Sequence, residues 1–274
     1  MFVLVLVAGG SGFLGREVVR RSLAAGHEVA AAYRTRPVGV AGAAWHAVDI
    51  RDRTQVVDLV TAVRPDVVVN AAFRQGDWAS TADGAAHVAV AAASVAARLV
   101  HVSSDAVFSG RAIRYDETST PDPTTAYGAA KAAAETAVRA ISPTAVIART
   151  SLIIGDGGSS HERRVHALVA GDQGVLFTDD VRCPVHVGDL AAALLELAST
   201  GRSGICHVAG ADAVSRHELG VLVARRDGLD AAAVPSGRRA DVGLPGPVDI
   251  RLDCTLTRQH LRTRLRGARE FLGG

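Results

Sequence analysis

The chain carries thirty lysines and arginines together, and only one of them, Lys131, is a lysine. It closes the stretch Tyr127-Gly-Ala-Ala-Lys131, four residues after one of three tyrosines. On a helix, residues i and i+4 share a face about one turn apart, so phenol and ammonium can enter the same pocket. A neighbouring positive charge stabilises phenolate and lowers a tyrosine pKa from its ordinary value of about 10. The pairing turns a poor acid into a proton donor near neutral pH. Arginine is a weaker substitute, because its planar fork does not fit where a compact ammonium does. A hydroxyl to hold the substrate is offered by Ser104 in Ser103-Ser104-Asp105. It can orient a carbonyl or alcohol oxygen while Tyr127 gives or takes the proton. Ser103 competes for that role.

Proton transfer of this kind needs a hydride partner, and the start of the chain supplies its binding turn. Phe2–Ala8 is a continuous apolar run, the pattern of a strand covered on both faces. It is too short for a membrane span and lacks a basic flank. Gly9-Gly10-Ser11-Gly12-Phe13-Leu14-Gly15 follows, then a helical pattern to about Ala25. Two overlapping glycine patterns fit, Gly10-x-Gly12-x-x-Gly15 and Gly9-x-x-Gly12-x-x-Gly15. In both, glycine permits a tight turn and close approach of a pyrophosphate, whose charge rests on the N-terminus of the next helix. Gly9, Gly12, Phe13, Leu14 and Gly15 are therefore candidate dinucleotide contacts.

The second expected strand, Glu28–Tyr33, ends in Tyr33-Arg34-Thr35-Arg36. An NAD site usually places a carboxylate there for the ribose 2′-hydroxyl. Guanidinium groups suit a 2′-phosphate instead, so NADP(H) is the preferred cofactor and NAD(H) the second choice. Asp49 and Ile50 end the next strand, where an adenine edge can be met. Asn70, Ala71 and Ala72 end the strand after that, leaving room for a flat ligand. Ser104 ends the strand Leu99–Val102, at the carboxyl edge where open α/β sheets bind ligands.

This strand–helix alternation predicts an α/β fold with a right-handed, doubly wound parallel sheet of Rossmann type. Ala-rich helices are expected over Thr81–Ala97 and Tyr127–Ile141. After about residue 150 the alternation fades into short strands, scattered helices and the Pro/Gly-rich loop Pro235–Pro247. Residues 1–150 are thus expected to form the NADP-binding domain. Residues 151–274 are expected to form a smaller C-terminal α/β substrate lobe, interleaved with the first.

A formal net charge of +2 gives no basis for nucleic acid or membrane partners. Cys183, Cys206 and Cys254 are odd in number and scattered, which fits neither a metal site nor a disulfide framework. They read as small buried residues of a cytoplasmic protein, with no targeting segment. No metal site is expected.

The nucleotide turn, Asp49-Ile50, Asn70-Ala71-Ala72 and Tyr127-x-x-x-Lys131 together resemble the extended short-chain dehydrogenase/reductases. Within these, His101–Gly110 resembles the "STDYVFDG" stretch of the dTDP-4-dehydrorhamnose reductase branch. Tyr115-Asp116-Glu117, Pro121, Pro123, Ala126-Tyr127-Gly128 and Arg149-Thr150-Ser151 are similar to the same branch. Arg182-x-Pro184-Val185-His186-Val187-x-Asp189-Leu190-Ala191 resembles the segment leading to the nucleotide-sugar lobe. The C-terminal stretch from Arg251 to Leu272 resembles the tail of the branch.

The resemblance implies an NAD(P)H-dependent oxidoreductase that reduces a 4-keto nucleotide sugar or a related carbonyl compound. It makes Ser104, Tyr127 and Lys131 catalytic, with Lys131 also bonding the nicotinamide ribose. Gly9, Gly12, Gly15, Arg34, Asp49, Ile50 and Ala71 become cofactor contacts. The chain departs from the branch at Ala106 and Leu152, where an aromatic is usual, and at Thr81 and His87. Two other readings stay open: an epimerase or dehydratase of the same fold, for which Asp105 is the candidate acid, and a non-catalytic cofactor-binding regulatory subunit. Small residues on the two Ala-rich helices further imply a homodimer.

Overall fold

The computed structural model describes residues 3–243 and 246–273. Phe2 of the first expected strand, and Leu244 and Pro245 of the Pro/Gly-rich loop, lie outside them. Two compact units form, one from Met1–Ser104, Ala126–Arg149 and Ala191–Cys206, the other from Asp105–Thr125, Thr150–Leu190 and His207–Gly274.

The first unit is built on a seven-stranded sheet. Its strands are β1 (Leu4–Ala8), β2 (Glu28–Tyr33), β3 (Ala44–Ala47), β4 (Val67–Asn70), β5 (Arg98–Ser104), β6 (Val146–Thr150) and β7 (Gly204–His207). They lie in the order β7-β6-β5-β4-β1-β2-β3. The pairs β1–β2, β1–β4, β2–β3 and β4–β5 are all parallel. The order reverses beside β1, so the doubly wound sheet expected from the alternation is present, and its switch point lies where β1 and β4 end. Val5–Ala8 and all of β4 are buried, which is why both read as unbroken apolar runs.

Helices α1 (Phe13–Ala24), α2 (Arg53–Val63), α3 (Gly84–Ser94) and α4 (Ala126–Ile141) cover this sheet. The Asp52 carboxylate caps α2 by accepting from the amides of Thr54 and Gln55. On one face, Leu6, Val68, Leu99 and Ile147 pack with Val56, Val60, Val88 and Val138 of the helices. Ala85, Ala89, Ala92 and Ala134 are buried there too, so these small residues serve packing inside the unit. The single helix expected over Thr81–Ala97 is instead a π-helical turn, Ala79–Asp83, running into α3. It stops at Ser94, and Ala96 takes a left-handed φ of 57°. π-Helical turns are rare and occur mostly at functional sites.

The second unit has its own core. Leu152, Ile154, Val165, Leu219, Val223 and Leu272 pack together, drawn in part from α5 (Ser160–Val169) and α7 (Arg216–Arg226). A capping box between Ser159 and Glu162 starts α5. Two-residue strands pair across long sequence distances, such as Arg251–Leu252 with Arg114–Tyr115.

Residues 105–125 fall in the second unit and 191–206 in the first. α6 (Val187–Ser199) begins in one and ends in the other. The chain returns because the edge of β6 needs a partner, and Gly204 donates its amide to the Ala145 carbonyl at 2.8 Å. All three cysteines are buried free thiols, and burial pushes Cys183 up to about 11 and Cys254 up to about 12. Among the described residues, no group of three or more His, Cys, Asp or Glu could hold a metal ion. No helix there is long and apolar enough to cross a membrane.

Candidate active site

The turn from β1 to α1 is shaped by glycine at three distinct levels. Gly9 has φ 79°, and a Cβ there would lie 2.8 Å from the Cα and amide nitrogen of Ala72. A Cβ on Gly15 would lie 2.1 Å from the Gly9 carbonyl oxygen. Both positions need glycine for the fold itself. Gly12 differs, being exposed, and a Cβ there would meet only the Gly9 oxygen at 3.2 Å. Its bareness leaves open the space in front of α1. No side chain caps that helix and no acidic residue sits in its first turn, so the positive end of the helix, at Phe13 and Leu14, is left for an anion.

Arg34 is exposed just past β2, as is Arg36. The Asp49 carboxylate accepts from Arg51 Nε at 3.0 Å and Nη2 at 2.5 Å. Arg51 holds its pKa below the usual range against some desolvation, and Arg34 adds to the effect. Arg51 is therefore a further cation at this end, missed in the sequence because it follows a carboxylate by only two residues. The Ile50 side chain fills the space a Cβ on Gly84 would take, and its carbonyl accepts from His87 Nδ1 at 2.9 Å. Asn70 is turned inward. Its Oδ1 accepts from the Ala72 amide at 3.1 Å, and its amide nitrogen lies 3.2 Å from His101 Nδ1. Ala71 donates to the Ala8 carbonyl at 3.0 Å, which keeps the ends of β1 and β4 level.

Tyr127 sits in the first turn of α4, and Lys131 follows one turn on. Lys131 is buried, and its ammonium donates to the Val102 carbonyl of β5 at 2.9 Å. Phe73 covers it, with the ammonium 5.0 Å from the ring centre. The same ring lies 5.8 Å from that of Tyr127, tilted by 46°. Burial lowers the Lys131 pKa from 10.5 to about 8, while Glu135 pulls it back up. Ser104 ends β5 two residues beyond the carbonyl that anchors Lys131 and is half-buried.

Beneath this pair lies a polar layer that the sequence did not announce. The Ser103 hydroxyl donates to Glu135 Oε1 at 2.6 Å, and Arg149 bonds the same carboxylate through Nε at 2.9 Å and Nη2 at 2.8 Å. All three residues are buried. His101, at its base, is held well below its ordinary pKa by burial first and by Lys131 second. Of the two serines that compete at this strand end, Ser103 points into this layer. The only sequence signal for Glu135 was its place four residues after Lys131.

In the second unit, Arg182, Arg216 and Arg239 converge on Asp180, at 2.8, 3.6 and 3.1 Å. Asp105 accepts from the Ser151 hydroxyl at 2.7 Å and lies 3.7 Å from Arg182. A cavity of about 250 Å³ beside Asp180 is lined by His161, Arg164, Leu176, Phe177 and Arg216, among others. Burial, and then Arg216, lowers the His161 pKa to about 4, so the imidazole is neutral at physiological pH.

Residues 3–272 match the family model described as the RmlD substrate binding domain. The chain is 33% identical over 256 residues to the probable low-salt glycan biosynthesis reductase of Haloferax volcanii, covering 87% of this chain and 85% of that protein. It is 32% identical over 285 residues to the dTDP-4-dehydrorhamnose reductase of Mycolicibacterium smegmatis, covering 98% and 83%. The crystal structure of dTDP-4-dehydrorhamnose reductase from Bacillus anthracis in complex with NADP has the same fold, with a TM-score of 0.85 at 24% identity, covering 100% of this chain and 98% of that one. The chain belongs to the RmlD substrate binding domain family.

Proposed function

We propose that this member of the family is an NADPH-dependent reductase of a 4-keto nucleotide sugar, with NADH as the weaker alternative. The observation that carries the reading is the placement of Tyr127 and Lys131 on one face of α4, with Lys131 anchored on β5 two residues before Ser104. The family membership and the reductase relatives support it.

The residues present fit a dinucleotide. Gly9, Gly12, Gly15 and the uncapped start of α1 would hold its pyrophosphate. Arg34 would meet a 2′-phosphate, with Asp49, Ile50, Ala71 and Ala72 framing the adenosine. When bound, the cofactor supplies the hydride. Ser104 then hydrogen-bonds the substrate carbonyl oxygen and fixes its orientation. Tyr127 gives that oxygen its phenolic proton as the alkoxide forms. The Lys131 ammonium stabilises the phenolate left behind, and Phe73 shields the ammonium from water.

The second unit is read as the substrate-binding lobe. Arg182, Arg216 and Arg239 set three guanidinium groups against two carboxylates, Asp105 and Asp180. That excess of positive charge suits the diphosphate of a nucleotide sugar. The Asp105 carboxylate is committed to Ser151 and Arg182, which weighs against its use as the acid of a dehydratase.

The test is reduction of a panel of dTDP-4-keto sugars with NADPH, followed by the loss of nicotinamide absorbance. Tyr127→Phe is expected to lower turnover by about 10²–10⁴-fold while still binding NADPH. Absence of consumption with every carbonyl tried, in protein that binds the cofactor, overturns the reading.

A further inference from the structure

Tyr127, Lys131 and Glu135 are spaced i, i+4 and i+8 along α4, so all three lie along one face of the helix. The first two have roles in the reaction above. Glu135 has none there, although it is a buried carboxylate, and burying one without a use for its charge is costly.

Its surroundings hold the carboxylate in place. Arg149 reaches both carboxylate oxygens in a forked pair, and the Ser103 hydroxyl reaches Oε1 as well. This three-residue set draws on α4, β5 and β6. Lys131 sits one turn away on the same helix, and the Glu135 carboxylate raises its pKa against the effect of burial. We propose that Glu135 is a positioning residue for proton transfer. Clamped between Ser103 and Arg149, its carboxylate supplies the negative charge that keeps the buried Lys131 ammonium charged and directed at the Val102 carbonyl.

The other titratable groups around α4 do not fill that role. His101 on β5 is neutral, and Asn70 fixes its tautomer. The Asn70 Oδ1 accepts from Ala72, so the amide nitrogen donates to His101 Nδ1 and the imidazole proton resides on Nε2. On the π-helical turn Asp83 is exposed, and on α3 His87 is held by the Ile50 carbonyl. Arg98 of β5 is tied to the carbonyls of Thr144, Thr200 and Arg202, and Arg139 of α4 is exposed. Without Glu135, burial alone governs Lys131, and the phenolate at Tyr127 loses its partner at lower pH.

A single lysine makes the test direct. Protein grown with lysine labelled with ¹³C at Cε gives one side-chain signal, that of Lys131, whose shift is followed against pH without substrate. In Glu135→Gln the midpoint is expected to fall by about one pH unit. Loss of a buried partner can unfold the single variant, so Glu135→Gln/Arg149→Met, which removes both charges and keeps the volume, is measured beside it. Its midpoint is expected to fall too, because the carboxylate, one turn from Lys131 on α4, is the group that raises the lysine's pKa against burial. A merely structural pair gives the opposite sign, since loosened packing admits water and moves the midpoint up toward 10.5. An upward or unchanged midpoint in the folded variants overturns the proposal. The kinetic arm rests on the reductase reading, and there the alkaline fall in turnover moves to lower pH with the NMR midpoint. Because the titration needs no activity, it stands or fails independently of the substrate assignment.

Discussion

The ammonium of Lys131 and the carbonyl of Val102 are 2.9 Å apart, and this hydrogen bond ties α4 to β5 just before the strand ends at Ser104. It fixes the helix that carries Tyr127 to the strand that ends in Ser104. A buried cation held by one neutral acceptor is also a source of instability, with a pH signature.

Lys131→Met is expected to be inactive yet more stable than the parent at pH 7. Below about pH 8 the lysine is charged in both the folded and unfolded chain, and the folded state bears the whole burial cost. Between about 8 and 10.5 the unfolded chain keeps the proton that the folded one has shed, so the parent gains stability as pH rises. The lowered pKa corresponds to about 3 kcal/mol, against about 1 kcal/mol for the donor lost at Val102. The melting temperature of the variant is therefore expected to exceed the parent's by a few degrees at pH 7. The gap should narrow from pH 8 upward, and a constant gap across that range counts against this account.

Gly15→Ala and Gly12→Ala separate the folding role of the turn from its ligand role. The Gly15 Cβ would lie 2.1 Å from a backbone oxygen, so that variant is expected to lose stability outright. Gly12→Ala adds a methyl on the exposed side and is expected to change stability by no more than about 0.5 kcal/mol. It should nonetheless abolish most of the rise in melting temperature that NADPH gives the parent. Thermal unfolding with and without the cofactor reads both outcomes.

Arg34→Ala is expected to weaken NADPH by about tenfold or more, the loss of one charge-assisted hydrogen bond, and to leave NADH unchanged. Equilibrium binding of both cofactors to both proteins checks this. Equal losses for the two would place Arg34 against a part of the dinucleotide they share.

What the sequence made legible were features that a short window contains. β1 and the glycine turn are contiguous, and Tyr127 and Lys131 are one helical turn apart. Much of the sheet order follows because β1, β3 and β4 are each followed by a helix, while β2 runs through a loop to β3. The polar layer below the site was hidden for a physical reason. Glu135 in an Ala-rich helix has the pattern of a solvated charge, and its partners Ser103 and Arg149 reach it only through the pairing of β5 and β6 with α4. Phe73 gives no local signal, since its contacts with Lys131 and Tyr127 span more than fifty residues. The π-helical turn was hidden as well, because the residues of Ala79–Asp83 suit an α-helix equally well. In the second unit short strands were expected, but strands of two residues carry no periodicity, so their pairing across long sequence distances is displayed only by the finished fold.

The burial of Lys131 also gives the molecule an unusual chemical surface. No lysine amine is presented to solvent, because the one the chain possesses is 2% exposed under Phe73. A reagent that acylates lysine side chains therefore finds its target only during excursions that part α4 from β5. Each acylation counts one such opening, and closure of the site over a ligand becomes measurable as a lengthening of the interval between them.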